Sequence, residues 1–167
     1  MQVVKRDGTR VPFDADQINK ALVEASEGWP DQISKVVEVA TQLQLTLFDG
    51  ITTSQIDEAL INATLQNVKD DPDFDKIAAR LLLKTIYKGV LGGYKDEVEL
   101  KVLHEKKFPK YLKEAVEVGL LDPRMSDAKV FDVKKLAKAL NPEKDALSKY
   151  LGVITNKNRY ALRKGSG

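Results

Sequence analysis

The residues with the clearest chemical potential are two adjacent cations near the N-terminus, Lys5 and Arg6. They stand in a short extended run, which is followed by Asp7-Gly8 and by a second extended run that ends at Pro12. Asp-Gly between such runs predicts a β-hairpin with a two-residue type I′ turn, because both central residues of that turn need positive φ. Asp14 then stands where a helix N-cap is expected. Cations beside the positive end of a helix dipole are suited to binding an anion.

The same hairpin also fits a role without a ligand. Strand alternation predicts that Lys5 and Arg6 point to opposite faces, so that at most one of them would face a given site. Charged residues, lysine especially, are common on edge strands because they discourage edge-to-edge pairing. From the residues alone, an anion site and a solvated edge hairpin both stay open.

No set of residues for bond-making chemistry is apparent elsewhere. The chain has no cysteine and a single histidine, His104, which excludes thiol chemistry and leaves no pair of nucleophile and base. The glycines at 89, 92 and 93 lack the spacing and the hydroxyl of a P-loop. Asp71, Asp73 and Asp75 begin like a calcium loop but lack its glycine and its bidentate glutamate. We interpret these stretches as helix ends and caps.

Composition limits the class of protein. The 167 residues carry a net charge of +2, which gives no bulk electrostatic argument for nucleic-acid binding. Hydrophobic residues make up 43% of the chain, enough for a core, and no apolar run approaches the ~18 residues of a membrane span. We therefore expect a soluble, cytoplasmic protein that binds neither nucleic acid nor membrane. The terminal Gly165-Ser166-Gly167 is typical of a tag or linker.

Helical spacing of the apolar residues predicts a mainly α chain. Before residue 92 it predicts four helices. The first two cover 16–26 and 32–47, and the third starts at a capping box formed by Thr52 and Gln55. The fourth includes 77–87 and stops at Gly89 or at Gly92-Gly93. After a linker candidate at 92–97 it predicts helices over 97–107, 111–118, 132–140 and 141–151. Phe108-Pro109 is expected to break the first two of these apart, and a short strand is expected within 153–163.

Several separated motifs, in order, resemble the ATP-cone, the N-terminal regulatory domain of many ribonucleotide reductase large subunits. The motifs are Val4-Lys5-Arg6-Asp7-Gly8, Phe13-Asp14, Phe48-Asp49-Gly50-Ile51-Thr52-Thr53-Ser54-Gln55-Ile56, Ala78-Ala79-Arg80-Leu81 and Tyr87-Lys88. Residues from Lys107-Phe108 through Asn158-Arg159-Tyr160 are similar, more weakly, to the helical connector of the same subunit. The resemblance implies an ATP-cone of four helices capped by a β-hairpin over 1–92, and a helical connector over 93–164 that leads to a catalytic barrel.

The resemblance also implies a function. ATP or dATP would bind as an allosteric effector, with Mg²⁺ able to accompany the triphosphate, and would control overall activity and oligomerisation. The catalytic residues of such an enzyme lie in the barrel, so this stretch would not itself be an enzyme. Its partners would be the adenine nucleotide, other copies of the large subunit and the small radical-generating subunit. The site residues carried over are Lys5, Arg6 and Lys88 for the phosphates, Val11, Phe13, Asp14, Gln17 and Ile18 for the base and sugar, and Thr53 for the base.

Two positions depart from the pattern of the family. Gln17 and Asp57 stand where some relatives have a cationic or histidine residue, so the contacts made there would be lost or altered. This keeps a second hypothesis open, in which the chain keeps the cone scaffold as a protein-interaction module and binds no nucleotide. The cone of a transcriptional repressor is a third possibility, but it would need a cysteine-rich zinc ribbon, and the chain has no cysteine.

Overall fold

The computed structural model describes residues 1–162, and residues 163–167, which include Arg163 and the terminal Gly165-Ser166-Gly167, lie outside the described residues. The fold is mainly α with an N-terminal hairpin, as predicted. Its strands are β1 (Gln2–Val4) and β2 (Arg10–Pro12), and its α-helices are α1 (Asp16–Ala25), α2 (Ile33–Gln44), α3 (Thr53–Gln66), α4 (Asp73–Leu91), α5 (Glu97–Glu117), α6 (Val133–Ala139) and α7 (Tyr150–Thr155). Short 3₁₀ turns occupy Pro30–Gln32, Pro123–Ser126 and Pro142–Leu147, and a π-helical turn occupies Asn156–Tyr160.

The chain forms two compact units. The first comprises Met1–Ile86 with Ser148–Val153, and the second comprises Tyr87–Leu147 with the described residues from 154 to 162. The division into a cone over 1–92 and a connector over 93–164 stays a prediction. Within residues 1–162, no helix combines the length and apolar character that crossing a membrane would need.

The core of the first unit is built from the apolar faces that helical spacing predicted. α1 packs on α2, and α2 packs on α3. Burial of these faces is the main favourable term for such a unit, at roughly 1.5–3 kcal/mol for each large side chain. The buried residues here include Val3, Ile18, Leu22, Val36, Val39, Ala40, Leu43, Ile51, Ile56, Leu60, Ile61, Phe74, Ile77, Ala78, Leu81 and Leu82.

The hairpin forms where expected, but its turn differs from the prediction. β1 and β2 are antiparallel, with Val3 opposite Val11, and the turn spans the residues between Lys5 and Thr9. The type I′ prediction was wrong, because Gly8 has a φ of +84° whereas no residue other than glycine has positive φ in the described chain. The N–H of Gly8 donates to the carbonyl of Lys5 (3.0 Å) and the N–H of Lys5 donates to the carbonyl of Thr9 (2.8 Å). This is the three-residue hairpin loop with a left-handed glycine at its end.

The ends of α1 and α2 also refine the prediction. The N-cap of α1 is Ala15 rather than Asp14, although the Asp14 carboxylate still accepts a hydrogen bond from the N–H of Asp16 (3.0 Å). α2 ends at Gln44 instead of continuing to Leu47, and Leu45 is 83% exposed. The alternating pattern after Leu43 therefore belongs to a surface turn, where side-chain spacing carries no information about burial.

Pro109 does not break the fifth helix. α5 runs from Asp96, whose side chain caps it, to Glu117, with Pro109 in its interior. A proline there removes one hydrogen bond and costs about 3 kcal/mol. Continuing the helix lets Leu112 and Ala115 be buried along with Leu100, and α5 packs against α6 and two 3₁₀ turns. Tertiary packing has therefore overridden the local tendency of Pro109 to break the helix. The helix end that the sequence predicted at Gly119 is present, and this glycine has a φ of +74°.

The C-terminal elements are helical throughout the described residues. Asp132 caps α6 as predicted, by accepting from the N–H of Lys135 at 3.0 Å. The helix expected over 141–151 is instead a 3₁₀ turn followed by the separate helix α7. The predicted strand within 153–163 is wrong, since α7 and the π-helical turn occupy this stretch as far as Tyr160.

Candidate functional site

The hairpin is attached to the segment that precedes α3. The N–H of Val4 donates to the carbonyl of Ile51 (3.0 Å), and the N–H of Gly50 donates to the carbonyl of Gln2 (2.9 Å). Val4 and Thr52 form a parallel bridge. Gly50 can serve here because it has a φ of +83°, a conformation that glycine adopts without steric cost. These bonds place the turn of the hairpin beside the start of α3.

The start of α3 is held by a complete capping box. The Thr52 hydroxyl accepts from the N–H of Gln55 (3.1 Å), and the Gln55 side-chain oxygen accepts from the N–H of Thr52 (3.0 Å). Two of the free N–H groups at the helix end are thereby satisfied. Thr53, the predicted base-contacting residue, is the first residue of this helix and is half-buried.

The structure joins two predicted site residues that are 51 positions apart. A guanidinium nitrogen of Arg6 lies 3.5 Å from a carboxylate oxygen of Asp57, in the second turn of α3. The side chains are 36% and 24% exposed, respectively. The sequence suggested that contacts at Asp57 would be altered, and the structure identifies Arg6 as the group that Asp57 contacts.

Lys5 and Arg6 lie outside β1, which ends at Val4. Strand alternation therefore does not describe these two residues, because that rule does not apply in a turn, and whether they face the same site stays a prediction. Both are exposed. The turn itself is braced by Asp7, whose carboxylate accepts from the hydroxyl and from the N–H of Thr9. These bonds, the hydroxyl first, lower the pKa of Asp7, with a smaller contribution from the charge of Lys5.

Phe13 and Asp14, two of the residues predicted for the base and sugar, lie at the other end of the hairpin, whereas Val11 is in the middle of β2. The N–H of Phe13 donates to the carbonyl of Met1 (3.1 Å), so α1 starts at the open end of the hairpin. The side-chain amide of Gln17 donates to the Asp14 carboxylate (3.4 Å), and both residues are exposed. Val11 and Phe13 are half-buried, whereas Ile18 is a core residue that is 4% exposed.

This arrangement changes which helix terminus accompanies the cations. Three strand positions separate the turn of the hairpin from its open end, a distance of about 10 Å at ~3.3 Å per residue. The sequence placed Lys5 and Arg6 beside the N-terminus of α1. In the structure, the helix N-terminus next to the turn is that of α3. The site residues of the first unit thus form a cationic end, with Lys5 and Arg6, and a polar end, with Asp14 and Gln17. Thr53, although predicted to contact the base, lies at the start of α3 on the side of the cationic end.

Lys88 lies in the last turn of α4 and is exposed. It belongs to the second compact unit, and its part in the same site stays a prediction. Among residues 1–162 there is no cluster of three or more histidine, cysteine or acidic side chains suited to a metal ion. The expectation that Mg²⁺ accompanies a nucleotide concerns the phosphates rather than a protein site.

Two contacts of the site were missed from the sequence. The pairing of Arg6 with Asp57 had no local signal, since opposite charges 51 positions apart occur throughout a chain with 27 basic and 25 acidic residues. The carboxylate of Asp49 accepts from the N–H of Gln2 (2.6 Å) and helps to hold the hairpin. An aspartate before the turn glycine was visible, but its partner could be known only from the fold.

Comparison with known proteins shows which family this chain resembles. Residues 1–89 match the family described as "ATP cone domain". The chain is 31% identical over 164 residues to the ribonucleoside-diphosphate reductase subunit alpha of Helicobacter pylori, covering 96% of this chain and 19% of that protein. It is 28% identical over 158 residues to the same subunit of Chlamydia pneumoniae, an alignment that covers 95% of this chain and 15% of that protein. It is 27% identical over 163 residues to ribonucleoside-diphosphate reductase 1 subunit alpha of Escherichia coli, an alignment that covers 96% of this chain and 20% of that protein.

The similarity extends beyond the matched domain but covers little of the relatives. The alignments include nearly all of this chain, whereas the chain spans only about 15–20% of the length of these three subunits. The match to the domain family covers more than half of the chain, and it includes the hairpin, α1, α2, α3 and most of α4. The chain belongs to the ATP-cone domain family.

Proposed function

We propose that this chain is the allosteric region of a ribonucleotide reductase large subunit, that it binds ATP or dATP, and that it thereby controls overall activity and oligomerisation. The observation that carries the proposal is the attachment of the hairpin to α3, which places two cations of the family motif beside a helix N-terminus. In this proposal the chain performs no catalysis itself. Its partners are other large subunits and the small radical-generating subunit, in the cytoplasm.

The two ends of the site suit the two ends of a nucleotide. Lys5 and Arg6 carry positive charge beside the N–H groups of α3, an environment that favours phosphates. Asp14 and Gln17, about 10 Å along the hairpin, offer a carboxylate and an amide to the hydrogen-bonding edges of the base and the sugar. We assign Val11 and Phe13 to apolar contact with the nucleoside. Ile18, which is buried in the core, would support these two side chains from behind.

The charges are sufficient for the affinity that an effector needs. Each charge-assisted hydrogen bond to a phosphate contributes roughly 1.5–3 kcal/mol. Three such bonds, from Lys5, Arg6 and Lys88, would contribute about 4.5–9 kcal/mol. A micromolar ligand needs about 8 kcal/mol. Mg²⁺ bound to the triphosphate would be a further part of the ligand, held by the phosphates.

One observation favours the alternative function, a cone that serves as a protein-interaction module without a nucleotide. Arg6 is engaged by Asp57, and Asp14 is engaged by Gln17, so two of the predicted contact groups already have partners. Calorimetric titration with ATP and with dATP separates the two functions. A ligand at about 100 times its Kd should raise the free energy of unfolding by ~2.7 kcal/mol, so a thermal shift should accompany binding. Absence of heat and of a shift with both nucleotides would favour the interaction module.

The phosphate assignment is tested by Lys88→Ala. Removing one charge-assisted bond should weaken ATP and dATP alike, by about tenfold or more, because both ligands carry the same phosphates. Lys69→Ala, which removes an exposed lysine after α3, is the matched control and should leave both affinities unchanged. Unchanged affinity in Lys88→Ala would remove this residue from the site, and a loss confined to one nucleotide would contradict its assignment to the phosphates.

A further inference from the structure

Arg80 belongs to a motif that the proposed site leaves without a role, Ala78-Ala79-Arg80-Leu81. The two alanines and the leucine are buried in the core, whereas the arginine is only partly buried. We propose that Arg80 is a positioning residue, which fixes the C-terminal end of α1 so that the other end of this helix meets the nucleoside of the ligand. The inference rests on the proposed function, since it concerns the same site, and it adds a residue that does not contact the ligand.

The contacts of Arg80 lie at the last residue of α1 and just beyond it. One guanidinium nitrogen, Nη1, donates to the carbonyl of Ala25 (3.1 Å) and to the carbonyl of Glu27 (2.6 Å). The guanidinium also lies over the ring of Trp29, with its central carbon 4.4 Å from the ring centroid. A planar guanidinium can donate hydrogen bonds in its plane and stack through its face at the same time, which a lysine ammonium cannot do.

The C-terminal end of α1 has no cation of its own. The helix is ten residues long, a length that is marginal in isolation, and its last turn contains no basic residue. The N–H of Ser26 donates to the carbonyls of Leu22 and Val23, but the carbonyl of Ala25 has Arg80 as its partner. Arg80 therefore supplies a donor for an end carbonyl, and positive charge at the negative end of the helix dipole.

Two further cations of α4 reinforce this contact, each about one helical turn from Arg80. The ammonium of Lys84 pairs with the carboxylate of Glu24 in α1, and the ammonium of Lys76 lies 5.6 Å from the centroid of the Trp29 ring. Residues four positions apart share one face of a helix, so the three side chains form a row along α4. Arg80, at the centre of this row, makes the contacts with the backbone.

The opposite end of α1 belongs to the proposed site. Asp14 precedes the helix and Gln17 lies in its first turn, and both are assigned to the base and the sugar. Ten residues at ~1.5 Å each separate the two ends by about 15 Å, so Arg80 acts through the helix and not by contact. Lys5 and Arg6 are fixed separately, because the hairpin turn that holds them lies beside the start of α3. Loss of Arg80 should therefore displace the nucleoside end of the site and leave the phosphate end in place.

Arg80→Ala tests the inference by calorimetry with ATP and with inorganic triphosphate, the latter measured by displacement of ATP. The Kd of ATP should rise by about five- to tenfold, which corresponds to one lost hydrogen bond, and the Kd of inorganic triphosphate should change by less than about twofold. Arg80→Lys keeps the charge without the stacked planar group and should restore part of the loss. Arg124→Ala is the matched control, because Arg124 pairs with Asp122 in the second unit, and it should leave both Kd values unchanged.

Hydrogen exchange tests the effect on α1 without a ligand. In Arg80→Ala the backbone amides of α1 should exchange faster, while those of α3 should stay within about twofold of the natural chain. The emission of Trp29, the single tryptophan, should shift to longer wavelength because its ring loses the guanidinium that covers it. Equal acceleration in α1 and α3 would show general destabilisation and would overturn the inference. Far-ultraviolet circular dichroism verifies folding, and Arg80→Lys replaces Arg80→Ala in both experiments if the alanine variant is unfolded.

The outcomes separate this inference from the proposed function. If the natural chain binds ATP and folded Arg80→Ala binds it as tightly, or loses ATP and inorganic triphosphate equally, the positioning role fails and the nucleotide site stands. An equal loss in Arg124→Ala would also contradict the positioning role. If inorganic triphosphate does not displace ATP from the natural chain, the division into two ends is wrong and the inference fails with it. If the natural chain binds neither ATP nor dATP, the proposed function and the inference both fail.

Discussion

At the scale of single residues, the second unit contains a histidine in an unusual environment. His104 is half-buried, and its Nε2 is shielded from solvent with no hydrogen-bond partner among the described residues. The ring of Tyr87 lies edge-on at 5.4 Å, and the hydroxyl of Tyr87 donates to Asp145. Burial lowers the pKa of His104, and the negative charge of Asp145 opposes this shift. Burial and the same carboxylate raise the pKa of Tyr87.

The lowered pKa predicts how stability depends on pH. The unfolded chain takes up the His104 proton near its ordinary pKa of 6.5, before the folded chain does. The free energy of unfolding should therefore fall as the pH decreases below this value. Urea unfolding at pH 7.5 and pH 5.5 measures the effect, and His104→Phe, which keeps a ring against Tyr87, should show a smaller fall. Equal falls would contradict the prediction, and no other histidine complicates the comparison.

At the scale of elements, the start of α3 connects the fold to the site. The capping box caps the N-terminus of α3 as its local sequence predicts. Thr52, the N-cap residue of that box, also forms the bridge to Val4. The hydroxyl of Thr52 caps the helix, and the backbone of Thr52 pairs with the hairpin. A change at Thr52 is therefore expected to reach the proposed site through the start of α3.

Thr52→Ala should lower the free energy of unfolding by about 1 kcal/mol, the usual cost of losing an N-cap hydroxyl. Urea unfolding is the measurement. Thr52→Ser keeps the hydroxyl and should restore most of the loss, and Ser54→Ala, at an exposed position of the first turn, should cost less. If Ser at position 52 were as destabilising as Ala, the loss would come from packing of the threonine methyl group and not from the cap.

At the scale of the whole molecule, oligomerisation is the proposed output of the site. In that proposal, dATP changes the association of the chain, and ATP does not produce the same change. Light scattering after gel filtration, with ATP, with dATP and with neither, should show a larger mass with dATP. The three masses would agree if this stretch does not associate in response to nucleotide.

A variant links any change in mass to the proposed site. Lys5→Ala should abolish the dependence of the mass on dATP, because it removes a cation of the phosphate end. Since the chain spans about 15–20% of the three compared relatives, the same comparison should be made on a full-length large subunit. A change in mass that persists in Lys5→Ala would contradict the assignment of the effect to this site.

Local patterns were sufficient to predict much of the fold. The four helices of the cone, the hairpin, the capping box at Thr52 and the helix end at Gly119 each depend on residues that are close in sequence. Side-chain spacing, caps and turn residues act within a few positions of the chain, so the sequence alone carries them. Two of the errors have a clear physical cause: at Pro109 a distant contact outweighs a local signal, and at Leu45 a turn leaves the side chain at the surface.

The candidate residues of the site were proposed from the sequence, whereas their arrangement was decided by tertiary structure. Lys5 and Arg6 could be recognised as anion-binding candidates from their type and from the hairpin around them. Their position beside α3 instead of α1, and the contact of Arg6 with Asp57, follow from hydrogen bonds between residues about fifty positions apart. No local pattern encodes such pairs, because their energy is gained only when the whole first unit has folded and brought the two segments together.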